Sequence, residues 1–447
     1  MEAHKQAVSK IAMSVRQFFS RGEPYRVFHG STNSARPRLV GRANSVDISS
    51  LSNILRVDAA SRKALIEPNV PMDQLVAATL KYGFVPPVVM EFPGITVGGA
   101  YAGTAGESSS FKYGLFDRSI TSVEMVLGDG EVVQASKENN TDLFHGAAGT
   151  LGTLGLVTML EMDLIEAKKF VKTTYHSRPS IRDTIELIQQ GGLDQSHDYV
   201  DGIVFSKEHG VVVTGELTDE NPGRTQNFSR STDPWFYLHV QDKTRFAPGP
   251  VTDFIALPEY LFRYDRGGFW VGRSAFEYFN FPFNDLTRHI LDDFLHTRML
   301  YEALHASNES NRYIIQDLAL PYSTAEAFID YTAQSFNIWP LWLCPIEETP
   351  PPTFNPNIEV TPKHVDGKTI SQFLNIGLWG FGPQDRAAFI TLNRDLEYRL
   401  REDFGGIKWL YAHTYYKEDE FWNVYDKTSY DEVEREIQSH NATFGIR

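Results

Sequence analysis

The pattern of apolar and polar positions divides the chain into two unlike stretches. In the first third, short β-type runs alternate with glycine-bearing turns: Tyr25–Phe28, Ala64–Glu67, Thr121–Leu127, Glu131–Gln134 and Gly155–Met162. Ile11, Val15 and Phe18 fall near one face of a helical N-terminus, and Met72–Tyr82 form a second helical run that stops at Gly83. From about Lys169 aromatic and charged residues become more frequent. Strand-like runs there are Gly202–Phe205, Val211–Thr214, Ile338–Cys344 and Phe373–Trp379; helix-like runs are Ser180–Gln190, Ser323–Ser335 and Asp385–Phe404. Long βαβ alternation is missing, so the pattern predicts an α+β protein of two domains, the second built on an antiparallel sheet. The expected divisions are 1–168, 169–405, and a C-terminal segment 406–447 that returns to the first domain. The proline-rich Thr349–Pro356 reads as a loop between strands of the second domain.

Composition narrows the function. With 447 residues the chain is long enough for two cores. Its formal net charge of -15 argues against nucleic acid and against electrostatic adhesion to anionic membranes. The same charge requires that any phosphate-bearing cofactor be held by local donors. Cys344 is the one cysteine, which excludes a disulfide framework and a cysteine zinc cluster, and no metal site is expected. The charged N-terminus lacks the apolar core of a secretory signal. No apolar run is long enough to span a bilayer. A cytoplasmic protein is expected, with peripheral contact to an internal membrane left open.

Three glycine-rich stretches carry the chemistry. His29-Gly30-Ser31-Thr32-Asn33-Ser34 follows a strand-like run, and such a turn can aim its backbone N–H groups at a pyrophosphate. Thr96-Val97-Gly98-Gly99 continues into Gly103, Gly106, Glu107, Ser108 and Ser109; this glycine density lets backbone approach a flat ring or a diphosphate, and the serines can donate to phosphate or ribitol oxygens. The third stretch contains Gly149, Gly152, Gly155 and Val157 and leads into a strand. None has the spacing of a Rossmann or Walker A loop, so a dinucleotide would be held in another way.

In this order the loops resemble the FAD domain of the vanillyl-alcohol oxidase / p-cresol methylhydroxylase superfamily. GITVGG, GESSSFKYGLF, LGDGEVV and DLFHGAAGTLGTLGLVT are similar to the Δ24-sterol reductase family in particular. So are DPWFYLHV, IIQDLALP, NIWPLWLCP and LYAHTYYKEDEFWNVYDKTSYDEV, which extend the resemblance over nearly the whole chain. It implies a PCMH-type FAD-binding fold with an antiparallel-sheet cap, non-covalent FAD, NADPH as electron donor, and a lipophilic sterol or isoprenoid substrate. The chain differs from the family's usual pattern at Phe92–Ile95, Phe111 and Gly146–Gly149, beside the flavin loops.

An isolated alkene has no carbonyl to polarise it, so its reduction calls for a well-placed acid in a dry pocket. Tyr411 and His413 alternate along a strand-like run and are expected on one face, towards the flavin pocket; Asp317 and Glu420 are further candidates. Lys112 is expected to face the flavin or the NADPH phosphate. Trp339, Trp342 and Trp379 can line a flat apolar pocket. The alternatives are an FAD-dependent oxidase or dehydrogenase of an alcohol with oxygen as acceptor, and a lipid-binding flavoprotein without turnover.

Overall fold

The computed structural model describes residues 1–30, 44–220, 222–306, 312–350, 353–354, 358, 360–365 and 367–443. The first third builds a five-stranded antiparallel sheet. Its strands lie in the order Ile54–Asp58, Lys63–Ile66, Leu156–Asp163, Ile120–Val126 and Val132–Ser136. Alternation decides its faces: Leu156, Thr158, Leu160 and Met162 are buried, and the residues between them are partly exposed. Helix Met72–Leu80 packs Met72 and Leu75 into the core of this region. The N-terminal helix, Glu2–Arg21, buries Val8, Ile11, Val15 and Phe18 against Val46, Leu51, Val126 and Leu156, and stops at Gly22 with a left-handed φ of 61°. Its buried His4 ring bonds Glu67 at 2.8 Å and Glu124 at 2.9 Å.

The rest of the chain is organised by an eight-stranded antiparallel sheet. The order is Val251–Ala256, Phe170–Arg178, His209–Thr218, Tyr199–Ser206, Leu341–Glu347, Gln372–Phe381, Tyr313–Leu320 and Ile407–Lys408. The period of two sorts its central strands. Leu341, Leu343, Leu374, Ile376, Leu378, Ile314, Leu318 and Leu320 share one face with apolar residues of helices Ile181–Leu193, Tyr322–Ser335 and Arg386–Glu402. Trp342, Cys344, Phe373, Trp379, Tyr313 and Ala319 belong to the opposite face. There they meet an aromatic layer from Phe228 to Trp270.

The glycine-rich segment of the first third lies against the large sheet. Trp409 Nε1 donates to Thr104 O at 2.9 Å, Cys344 Sγ to Glu107 O at 3.1 Å, and Gln372 Nε2 to Phe111 O at 3.1 Å. Val200 N–H donates to Ser108 O at 2.7 Å. The last long helix, Lys427–Thr443, comes back to the first third, where Tyr430, Val433 and Ile437 pack on its core. No helix among the described residues is long and apolar enough to cross a membrane.

Candidate active site

A cavity of about 410 Å³ opens between the glycine-rich segments and the large sheet. Sites for small molecules and cofactors typically enclose about 300–1,000 Å³. One wall is backbone. Thr96, Gly98, Gly99, Gly103, Gly106 and Glu107 line it, with His29, Gly152, Gly155 and Val157. Thr96 caps the short helix Val97–Ala102 by accepting the Gly99 N–H at 3.2 Å. Gly98 N–H donates to Pro68 O at 2.7 Å, and a Cβ at Gly98 would stand 2.6 Å from Pro68 Cβ. Only glycine permits that approach. The third loop turns through left-handed φ values at Gly149 (81°), Leu151 (54°) and Gly152 (83°). Leu151 lines the cavity although it carries a Cβ, a conformation that costs about 1–2 kcal/mol. Left-handed residues within a turn can direct successive N–H groups to one side, as anion-binding nests do.

The other wall is side chains. Register places Ile315 opposite Trp379, and both Asp317 and Trp342 opposite Gly377. A Cβ at Gly377 would stand 2.5 Å from the Trp379 ring, so that glycine makes room for the indole. Phe269 joins them, with ring centroids 4.6 Å from Trp379 and 5.6 Å from Trp342. The edge strand Ile407–Lys408 pairs with Ala319 and Leu318, and Trp409 N–H donates to Asp317 O at 3.1 Å. This pairing delivers Tyr411 into the cavity beside Asp317.

Behind Trp342 sits a buried charge cluster. Asp201 accepts from Arg263 at 3.0 Å, Tyr264 at 2.9 Å and Trp342 Nε1 at 3.1 Å. Arg263 also reaches Ser108 Oγ at 3.4 Å, which ties the cluster to the glycine-rich segment.

Three carboxyls on the cavity wall hold protons tightly. Burial pushes Asp317 up to about 6, against the opposing pull of Tyr411, Trp379 and Asn375. Burial also raises Tyr411 well above the usual phenol, and the neighbouring Asp317 carboxylate adds to it. Glu91 N–H donates to Glu107 Oε1 at 3.1 Å. Burial raises Glu91 to about 7 and Glu107 well above the ordinary carboxyl range, with Glu91 the second cause for Glu107. Two carboxyls this close in a dry wall disfavour joint ionisation.

The wall suits a flavin nucleotide. Tyr101 OH, Glu91 Oε1 and Glu107 Oε2 are buried on it with no protein partner, and ribityl hydroxyls or ring N–H groups can meet them. Among the described lining residues there is no lysine or arginine.

Of the residues expected in the site, the structure brings His29, Thr96, Gly98, Gly99, Gly103, Gly106, Glu107, Gly152, Gly155, Val157 and Tyr411 to the cavity. Ser31, Thr32, Asn33 and Ser34 lie outside the described residues. Gly30, Val97 and Gly149 neighbour wall residues without lining the cavity. Ser108 and Ser109 stand behind the wall. Ser108 Oγ accepts from Arg263, and Ser109 Oγ donates to Pro87 O at 2.8 Å, so their hydroxyls serve the protein and not a ribitol chain.

The expectations for His413, Lys112 and Glu420 need correction. Tyr411 and His413 do not share a strand face, because the strand ends at Lys408 and the chain turns at Leu410–Ala412. His413 O accepts from buried Lys408 at 2.6 Å and from Gln316 at 3.4 Å, and its ring packs 4.5 Å from Tyr415. Gln316 points away from the face that carries Asp317, so His413 is on the far side of the sheet. Lys112 is also outside the cavity: its Nζ bonds His197 O at 3.2 Å and Asp198 Oδ1 at 3.0 Å. Glu420 pairs with Arg394 at 2.7 Å on a half-exposed surface.

Comparison with known proteins agrees with this geometry. A profile described as "FAD binding domain" matches residues 5–136. The human Δ24-sterol reductase is 28% identical over 98% of this chain and 84% of its own length. That of Arabidopsis thaliana is 26% identical over 88% of this chain and 74% of its own length. Cytokinin dehydrogenase 9 of rice is 26% identical over 53% of this chain and 47% of its own length. The chain therefore carries an FAD-binding domain, joined to a large antiparallel sheet, and is an FAD-dependent oxidoreductase. Within that class it is Δ24-sterol reductase-like over nearly its whole length.

Proposed function

We propose that the protein reduces a carbon–carbon double bond in a sterol or related isoprenoid, with NADPH as electron donor and FAD held non-covalently. The observation that carries this reading is the Asp317–Tyr411 pair, set among Phe269, Trp342 and Trp379 and opposite the glycine wall. FAD held there would supply hydride chemistry at one alkene carbon, with NADPH as its source of electrons. The chain supplies the proton for the other. Tyr411 keeps its hydroxyl proton because burial and the neighbouring Asp317 carboxylate raise its pKa, and Asp317 orients that hydroxyl for transfer. The aromatic wall holds an apolar substrate and excludes water. In this reading residues 1–168 and 406–447 hold the cofactor, and 169–405 form the cap.

Anaerobic addition of NADPH to the purified yellow protein tests it. Rapid bleaching is expected, followed by return of colour with a sterol alkene. A flavin that stays yellow under NADPH but bleaches with an alcohol, and then forms peroxide in air, would replace the reading by the oxidase alternative.

A further inference from the structure

The large apolar side chains left in solvent are unevenly spread. Tyr278, Phe279, Phe281, Leu286, Ile290 and Phe294 fall within the run 278–294, each with 47–67% of its surface exposed. Helix Asp285–Ile290 buries none of its residues, and Leu286 and Ile290, four apart, form one exposed stripe. The run is anchored from beneath by the Arg288 guanidinium, 4.8 Å from the Phe283 ring and 5.6 Å from that of Trp235. Exposed apolar groups gathered in this way mark a contact surface.

Two further observations identify what it contacts. The chain carries a net charge of -15, yet most charges around the run are closed on each other or on residues beneath: Arg273 with Glu277, Arg288 with Asp285, Asp292 with Arg266, His296 with Asp265; the exposed Asp293 is the exception within the run. Such a surface neither seeks nor repels charge, which suits a zwitterionic headgroup layer. The run is also continuous with the cavity wall at both ends. Val271 lines the cavity at the start of helix Val271–Tyr278, whose last residue opens the apolar run. At the other end helix Thr297–Ala306 puts Tyr301 into the same wall. Eight helical residues span about 12 Å.

We propose that the 278–294 surface docks on a lipid bilayer and leads a membrane-dissolved isoprenoid to the cavity between the two flanking helices. The delivery half of this inference rests on the reductase reading above. Large apolar residues on short, protruding elements enter an interfacial layer as the apolar face of a monotopic helix does.

The test is co-sedimentation of the full FAD-loaded chain with phosphatidylcholine vesicles, beside the triple variant Phe279→Ser, Phe281→Ser, Ile290→Ser. Binding that persists in high salt and falls about tenfold or more in the variant is expected. Flavin bleaching by NADPH and turnover of a detergent-dissolved alkene should be unchanged in the variant, which also shows that it folds. Four results overturn docking: no association, association equal in both proteins, binding that needs anionic lipid and is erased by salt, or a lipid-free dimer that the variant dissolves. Bleaching is read without vesicles. Its absence would sink the reductase reading alone, and missing vesicle binding beside normal bleaching would sink docking alone.

Discussion

One wall of the cavity is made of backbone and the other of side chains, and sequence change acts on them in different ways. At the glycine wall the constraint is volume: a single added carbon at Gly98 meets Pro68 at 2.6 Å. At the aromatic wall the constraint is polarity. Asp317 is held by Tyr411, Trp379 and Asn375, and the Trp342 indole by Asp201, which Arg263 neutralises. A glycine wall therefore fails by excluding its ligand, and a side-chain wall fails by losing its order or its proton.

The largest expected effect comes from the support of the second wall. Arg263→Met leaves Asp201 charged in a buried site and should cost about 3–5 kcal/mol of stability, read by urea unfolding. Adding Asp201→Leu should recover much of it; no recovery would mean that the cation acts by packing on Tyr260, 4.1 Å away, and not by neutralising charge. Next is Tyr411→Phe. Reoxidation by the alkene should slow about 100-fold while bleaching by NADPH is preserved, as expected for loss of a positioned acid. Equal slowing of both half-reactions would assign Tyr411 to cofactor placement. Gly98→Val should destabilise by about 1–3 kcal/mol and yield protein that purifies with little flavin colour. A normal flavin content would show that the backbone wall can yield.

A pH series separates the walls in another way. Asp317, held at about 6, and Glu91, at about 7, bind protons more tightly folded than unfolded. The stability they contribute is complete below the ordinary carboxyl range and is lost as pH rises through about 6 and about 7. The melting temperature should therefore decline across that interval, and Asp317→Asn should flatten the lower part of the decline. The smallest effect is expected at Lys112→Ala. Its partly exposed ion pair with Asp198 contributes under about 1 kcal/mol, and flavin content should not change.

The glycine wall was legible because it is local. Its geometry is a property of contiguous backbone, and the residues that make it sit in three short runs. The opposite wall draws Phe269, Tyr301, Asp317, Trp342, Trp379 and Tyr411 from six separate stretches, and sheet register brings together Asp317, Trp342 and Trp379. Even there signals existed. Asp317 interrupts the apolar run Ile314–Leu320, and Glu91 follows Val88-Val89-Met90; a lone acid in such a run needs a reason to be buried. Trp342 and Trp379 were expected to line a pocket and do, whereas Trp339 packs on the other side of the sheet. The assignment of His413 failed because two-residue spacing has meaning only within a strand. The strand Phe170–Arg178 carries a weak sequence signal, since Lys172, Thr174 and His176 give its open side a polar composition. The helices between Phe236 and Ala306 are short and rich in aromatic residues, so their periodicity is weak.

Cys344 gives the molecule a built-in clock. Its thiol is fully buried, burial raises its pKa well above the usual value, and its Sγ–H reaches across to Glu107 O, from one wall to the other. A maleimide can reach that sulfur only when the glycine segment lifts off the sheet. The rate of alkylation therefore counts how often the cavity comes apart, in a chain with no second thiol to confuse the count. Any ligand that bridges the walls should slow that clock in proportion to how firmly it holds them together.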